Sequence, residues 1–375
     1  MVPKRLKVLQ ILPALNSGGV ERGTLEVSRY LLENGHTSMV MSAGGRLVDS
    51  LELHGAVHVA WPIGQKSLQT FRLIPRLRRF LTEQNIDIVH CHSRLPAWIT
   101  FLAWRGMPAQ KRPRLVTTVH GFYSVGAYSA IMTRGERVIC VSDAITDYVS
   151  SNYKHANPAA LRTIHRGIDT REYHPAYQPD AAWLADWHAQ YPQLSNKQLV
   201  VMPGRLTRLK GHHDFIQIIA KLKAMMPDVH GLIVGEAEAR HQSYLAELQQ
   251  AAADAGLSGH LTFTGHRSDL REIFSISALT VSLSGQPEAF GRTVLEALAL
   301  GKPVVAYGHG GVSEIMQSML PEGEVAMHDI EAASARCAAL LTQPVAPRPL
   351  PESFRLESML RSTLDVYREL TTPPH

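Results

Sequence analysis

Two glutamates, Glu288 and Glu296, stand eight positions apart in the segment SGQPEAFGRTVLEALALGKPVVAYGHGGVSEI, residues 284–315. Eight positions of helix rise about 12 Å. A hydrolase-like acid/base pair needs carboxylates roughly 5 to 9.5 Å apart, although part of this interval is loop and the bound is loose. The spacing favours two ionised carboxylates that accept hydrogen bonds from hydroxyls on different parts of one extended ligand; the alternative is a pair of solvated helix charges. Between them Pro287 fixes the approach of the chain. Gly291 lets the backbone come close to a ligand and exposes the amides of Phe290, Gly291 and Arg292 at the positive end of a helix that Gly301 terminates. Such a turn suits the electron-rich part of a polyhydroxylated or phosphorylated molecule.

Other candidates are weaker taken singly. Arg205 and Lys210, five apart after an apolar run, read as a solvated loop when nothing else is considered. His120 follows the run LVTTV and precedes Gly121, which puts it at a strand end, as a structural histidine or a ligand contact. His90 and His92 share one face at the end of DIVHCHS, but no third ligand accompanies them and a metal is not expected. Of the three cysteines, Cys91 and Cys140 fall in strand patterns as small apolar residues, and the spacing with Cys337 fits neither a disulfide framework nor a zinc site.

The elements that must hold these residues alternate regularly. KVLQIL reads as a buried strand, NSGG as a loop, VERGTLEVSRYLLEN as an amphipathic helix stopped by Gly35, and TSMVMSA as the next strand. The alternation continues through VHVAWP, a helix around LIPRLRRFLTEQ, DIVHCHS, LVTTVHG and RVICVS, and resumes after a Pro/Trp/Tyr/His-rich stretch, 169–196, read as a linker. The second half repeats it in LVVMPGRL, HHDFIQIIAKLKAMM, GLIVGE, QSYLAELQQAAADAG, LTFTGH, LTVSLS, GRTVLEALAL and PVVAYG. Strands alternating with helices imply parallel sheets covered on both faces. The expectation is an α/β chain of two doubly wound domains, 1–175 and 190–350, facing across a cleft, with a last helix at 353–370 free to pack back on the first.

With 375 residues, 45% apolar and 19% charged, the chain is neither disordered, collagenous nor a coiled coil, and is long enough for two cores. The start, MVPKRLKVLQILPAL, leads into NSGGVER rather than a cleavage site, and no run approaches the roughly 20 apolar residues that span a bilayer. A cytoplasmic protein is expected. Residues 1–190 hold 22 Lys and Arg against 14 Asp and Glu, a net of +8, whereas 191–375 hold 16 against 19, a net of −3. In FRLIPRLRRFL, Phe71, Ile74, Leu77 and Leu81 recur at helical spacing with Arg72, Arg76, Arg78 and Arg79 between them. That helix packs on the sheet with a solvated Arg face, or offers it to an anionic membrane surface at the cytoplasmic side. No nucleic-acid motif or aromatic-stacking platform accompanies the charge, so nucleic acid is not an expected partner.

Taken in order, GGVER at 18–22, HG at 120–121, VSD at 141–143, RGID at 166–169, GRLTRLKG at 204–211, FTGHRSDL at 263–270 and PEAFGRTVLEALALGKPVV with Glu314 after it resemble the family 4 glycosyltransferases. These are retaining enzymes of the two-Rossmann-domain (GT-B) fold with an E-x7-E donor signature. The resemblance implies that Glu288, with the amides of Phe290 and Gly291, holds donor-sugar hydroxyls, and that Glu296 accepts from the ribose. It implies that Arg205 and Lys210 contact the donor diphosphate, that Gly18 and Gly19 close over it, and that His120 lies beside the transferred sugar. Cations placed where a leaving diphosphate gains charge stabilise it commonly by a few kcal/mol each, and no Asp-x-Asp metal motif is present, so neither metal nor other cofactor is expected. His92, Arg94 and Arg166 are candidates for the acceptor side. The partners implied are a nucleotide-diphosphate sugar and a lipid-linked or other glycan acceptor, such as a lipopolysaccharide core intermediate.

Two departures bear on the base contacts: Arg166 stands where many members have Asn, and GEAEARH from Gly235 replaces the more usual G-x-G-P loop. A nicotinamide dehydrogenase is disfavoured because no G-x-G-x-x-G follows a strand. A nucleotide-sugar epimerase of the same fold and a catalytically silent sugar-nucleotide binder are the remaining alternatives.

Overall fold

The computed structural model describes residues 4–16, 18–237 and 242–372. Two compact units are formed, Met1–Gly167 with Leu356–His375, and Ile168–Arg355.

In the first unit β1 (Lys7–Ile11), α1 (Gly19–Glu33), β2 (Thr37–Ser42), α2 (Val48–Leu53), β3 (Val57–Ala60), α3 (Leu73–Glu83), β4 (Ile88–Cys91), α4 (Arg94–Arg105), β5 (Arg114–Val119), β6 (Arg137–Cys140), α5 (Asp143–Asn152) and β7 (Leu161–Thr163) follow one another. The strands pair in parallel in the order β3-β2-β1-β4-β5-β6-β7. Strand order reverses between β1 and β4, where Gln10 lies opposite His90. Ligands of open α/β sheets bind outside the carboxyl ends of the strands at such a switch, and here those ends lead to Gly18–Gly19 and to His92.

The second unit contains α6 (Ala181–Gln190), β8 (Gln198–Pro203), α7 (His212–Met225), β9 (Val229–Val234), α8 (Gln242–Asp254), β10 (Leu261–Phe263), α9 (Leu270–Ile276), β11 (Leu279–Ser282), α10 (Arg292–Ala299), β12 (Val304–Tyr307), α11 (Gly310–Met319), β13 (Glu324–Val325) and α12 (Ile330–Thr342). Its parallel order is β10-β9-β8-β11-β12-β13. The switch falls between β8 and β11, whose carboxyl ends lead to the loops of Arg205–Lys210 and Ser284–Glu288.

The stretch 169–196 is not a linker. It belongs to the second unit, and its aromatic residues have a period: Trp183 and Trp187 on α6 and Tyr191 at its C-cap recur every four positions, with Trp183 stacked on Trp187 at 5.3 Å and Tyr191 tilted against Trp187 at 4.6 Å. The Asp180 side chain caps the helix by accepting from the Trp183 amide at 2.8 Å, and the Trp183 indole donates to Asp269 at 2.7 Å. Trp187 is buried in the core with Phe290 and Phe354.

The last helix, α13 (Leu356–Thr371), returns to the first unit. Met359, Leu360, Thr363, Leu364, Tyr367 and Leu370 line one face and pack on Leu6, Val8, Val27, Leu31, Ile88 and Val116. Its Glu369 takes Arg137 and Arg162 at 2.6 and 2.7 Å.

In the Arg-rich segment Leu77 and Leu81 are buried as the spacing requires, but Phe71 precedes α3 in a short 3₁₀ turn and is exposed. Arg76 lies 4.2 Å over the Trp61 ring. Among the described residues no helix is long and apolar enough to cross a membrane.

Candidate active site

The second unit brings together residues far apart in sequence. After β8, Gly204 takes φ +141°, and a Cβ built there would lie 3.3 Å from the Lys210 side chain, which runs over it. Arg205 follows and is exposed. Gly211, left-handed at φ +79°, starts α7 so close to the Leu283 carbonyl that a side chain would overlap it at 2.0 Å. This approach sets the Lys210 ammonium 2.7 Å from Glu288 Oε1, and the Ser284 hydroxyl donates to the same oxygen. Burial alone would raise the Glu288 carboxyl; the Lys210 charge and hydrogen bond, the Ser284 hydroxyl and the field of His309 outweigh it and hold the group below the ordinary carboxylate range. An ionised, acceptor-only Glu288 results.

Behind Glu288 the backbone is clamped. Its carbonyl accepts from the Gly311 amide at 2.9 Å, and Gly310 and Gly311 pass so near that a Cβ on either would fall 2.5 Å from Glu288 O or Phe290 Cα. Gly291, at φ +94°, heads α10. The Phe290 ring is buried and meets Phe354 edge-on at 5.8 Å, so only its backbone is left for a ligand. Glu296, one turn into α10, is buried and takes Arg292 Nε at 3.0 Å. The two glutamates thus differ in setting: Glu288 in a loop with Lys210, Glu296 within the helix with Arg292. Of the GEAEARH segment, residues 238–241 lie outside the described residues; Gly235 crosses so near the Gly204 carbonyl that a Cβ would sit 1.8 Å from it.

In the first unit His92, His120 and Arg166 form one chain of contacts. His92 Nδ1 is 3.1 Å from His120 Nε2, His92 Nε2 is 3.1 Å from Gln10 Oε1, and Arg166 Nη2 is 3.4 Å from His120 Nδ1 and 3.1 Å from the Gly19 carbonyl. The His90 ring lies tilted against His92 at 4.1 Å and is bonded to the Tyr367 and Thr118 hydroxyls at 2.7 and 2.6 Å. Each ring nitrogen of His90 and His92 therefore has a protein partner already. Burial, with the nearby Arg166 charge, pushes His90 down to about 3, and burial does the same to His92 and His120, both held well below the ordinary histidine range. All three are neutral at physiological pH. Gly18 caps α1 at φ +143°. Arg94 stands apart from this chain, its guanidinium over Tyr123 and Tyr128 at 4.9 and 5.3 Å; Tyr123 in turn accepts from the His120 amide at 3.3 Å.

Two family models cover most of the chain: that described as Glycosyltransferase Family 4 matches residues 17–172, and Glycosyl transferases group 1 matches 185–355. The chain belongs to these glycosyltransferases. A solved glycosyltransferase from Rickettsia africae is 29% identical, with a TM-score of 0.83, over 99% of this chain and 100% of that one. A GDP-mannose-dependent alpha-(1-6)-phosphatidylinositol monomannoside mannosyltransferase of Mycobacterium tuberculosis is 29% identical over 64% of this chain and 63% of its own. A lipopolysaccharide core biosynthesis mannosyltransferase, LpsB, of Rhizobium meliloti is 31% identical over 41% of this chain and 42% of its own. The paired parallel sheets are the GT-B class.

Several residues of this glycosyltransferase's site escape a reading by motif. Ser284 and His309, whose Nε2 lies 2.6 Å from the Ser284 carbonyl, sit inside the informative segment, yet nothing in their types marks them off from loop filler. Gln10 is hidden mid-strand; the one available signal was a polar residue in the otherwise apolar run KVLQIL. Tyr367 lies 277 positions from His90 and no local pattern links them.

Proposed function

We propose that this glycosyltransferase moves a sugar from a nucleotide-diphosphate sugar to an acceptor hydroxyl with retention of configuration and without a metal, in lipopolysaccharide core or other envelope glycan synthesis. The observation that carries the reading is the ionised Glu288, fixed by Lys210 and Ser284 beside the amide end of α10. An acceptor-only carboxylate next to a cation and helix amides matches a ligand with hydroxyls at one end and a diphosphate at the other.

In this mechanism the bond from the anomeric carbon to the phosphate oxygen breaks, the acceptor oxygen bonds to that carbon on the same face, and the departing phosphate oxygen takes the acceptor proton. Arg205 and Lys210 offset the charge growing on the diphosphate, the task a metal performs elsewhere; losing one such group commonly costs about 10² to 10³ in rate. Glu296 receives the ribose hydroxyls and Gly18–Gly19 close over the phosphates. Relatives named for GDP-mannose and for lipopolysaccharide core support the donor class and the envelope assignment. Leu68 and Phe71, exposed beside Arg72 in the basic half, support peripheral contact with an anionic membrane.

The test is a panel of UDP, GDP and ADP sugars scored by ligand-induced stabilisation, then product analysis with chelator present. A product of inverted configuration, or transfer abolished by chelation and restored by metal, would overturn the mechanism. Isomerised donor in the absence of acceptor would favour an epimerase instead.

A further inference from the structure

We infer that Gln10 and His92 are positioning residues that fix the proton of His120 on Nε2 and commit its Nδ1 as the acceptor for Arg166. The Gln10 side chain is fully buried on β1. Its amide nitrogen donates to the Thr24 carbonyl at 3.0 Å and to the Ser28 hydroxyl at 2.9 Å, both on α1. That uses both amide hydrogens and turns the carbonyl oxygen, which can only accept, toward His92.

The rest follows bond by bond. His92 Nε2 faces Gln10 Oε1 at 3.1 Å and must carry a hydrogen. In a neutral ring Nδ1 is then bare, so its contact at 3.1 Å requires the hydrogen on His120 Nε2. His120 Nδ1 is bare in turn and faces Arg166 Nη2 at 3.4 Å. A guanidinium only donates, so the chain runs from an acceptor-only end to a donor-only end; the buried Gln10 contact at 3.1 Å sets the direction and the longer Arg166 contact at 3.4 Å follows it. A second proton on His92 would place hydrogen against hydrogen at His120, or reverse that ring and turn an N–H on Arg166.

Two features hold Arg166 where this chain delivers it. Its Nη2 also donates to the Gly19 carbonyl at 3.1 Å. Its Nη1 occupies the place of a missing side chain: a Cβ on Gly23 would lie 2.2 Å away. The space bordered by Gly23, His92, His120, Arg166 and Thr363 amounts to about 20 Å³, room for about one water. The His120 imidazole therefore has no hydrogen to offer a sugar or a leaving phosphate. What the first unit sets beside Gly19 is the guanidinium of Arg166.

The tautomers stand independently of the proposed transfer reaction; their bearing on turnover rests on it. Long-range ¹H–¹⁵N correlation spectra of the full-length, ¹⁵N-histidine-labelled protein at pH 7.5, assigned with His92→Gln and His120→Gln, read the protonated nitrogen directly without substrate. Both rings are expected as neutral Nε2–H forms. An Nδ1–H form or an imidazolium at either position would overturn the inference, even if no variant folded. In Gln10→Met both rings are expected to become tautomer mixtures and kcat/KM for transfer to fall at least tenfold. In Gly23→Ala the tautomers are expected to persist while kcat/KM falls similarly, because Arg166 alone is displaced. Unchanged tautomers in Gln10→Met would also overturn it. A preparation with the expected spectra and no transferase activity would instead count against the proposed function.

Discussion

The Lys210 ammonium lies 2.7 Å from Glu288 Oε1 although 78 positions separate the two residues and their loops leave different strands. The pair forms because β8 and β11 are neighbours at the point where strand order reverses, so both loops open at the same place. Lys210 keeps a buried carboxyl ionised against its own desolvation. Lys210→Met is therefore expected to do two things: kcat for transfer falls by about 10² to 10³ as the leaving diphosphate loses a cation, and the acid limb of the pH–rate profile moves to higher pH as the Glu288 carboxyl rises. An unmoved acid limb would show that Glu288 does not need this partner.

Gly291 cannot carry a side chain. At φ +94° an L residue is strained by about 1 to 2 kcal/mol, and the added Cβ would meet Val312 Cγ2 at 2.6 Å. Gly291→Ala is expected to lower the stability of the second unit by about 1 to 3 kcal/mol, seen as a lower calorimetric transition, and to weaken donor binding because the α10 amides tilt away. Equal stability with unchanged donor affinity would place the ligand elsewhere than this helix end.

How much of this was readable in the chain depends on the distance over which each feature is encoded. β1, α1 and β2, and in the second unit β8, α7, β9, α8, β10, β11, α10 and β12 but not α9, follow from local periodicity, and Glu288, Gly291 and Glu296 from a single short segment. The boundary between units was misplaced because Trp183, Trp187 and Tyr191 look like loop composition until their four-residue spacing is set against the Asp180 cap. α11 was missed because it opens on Gly310 and Gly311, a poor start by propensity, and forms because Gly311 donates to the Glu288 carbonyl. The His92–His120–Arg166 chain was visible only as three separate candidates; what joins them is the parallel pairing of β4 with β5, which sets His92 beside His120, and the segment after β7 that carries Arg166.

Tyr367 ties the returning helix α13 to the strand ends. Its hydroxyl is fully buried 2.7 Å from His90 Nδ1. Tyr367→Phe removes the oxygen and leaves a bare buried nitrogen, so a loss of about 1 to 3 kcal/mol is expected, with the first-unit transition lowered and the second unit's unaffected. A chain ending at residue 355 would additionally uncover Leu6, Val8 and Ile88, and its first unit is not expected to fold. If Tyr367→Phe lowered the second unit's transition instead, the assignment of α13 to the first core would fail.

Acid should destabilise the native state over a defined range. Burial holds His90 at about 3 in the fold, against about 6.5 in an unfolded chain, and His92 and His120 are displaced in the same direction. Between those values the unfolded state binds more protons, so stability rises with pH. Above pH 6.5 these histidines impose no penalty; below it each contributes a slope of about 1.4 kcal/mol per pH unit, which for His90 continues down to about pH 3. In the second unit His212 and His230, both lowered to about 4, act with the same sign over a shorter range. Urea unfolding at pH 8, 6.5, 5 and 4 is expected to give a plateau and then a decline, and His90→Asn to be less stable at pH 8 yet to lose less between 6.5 and 4. A stability that stayed flat to pH 4 would mean that these rings take up protons in the folded protein, and the neutral chain from Gln10 to Arg166 would have to be abandoned with it.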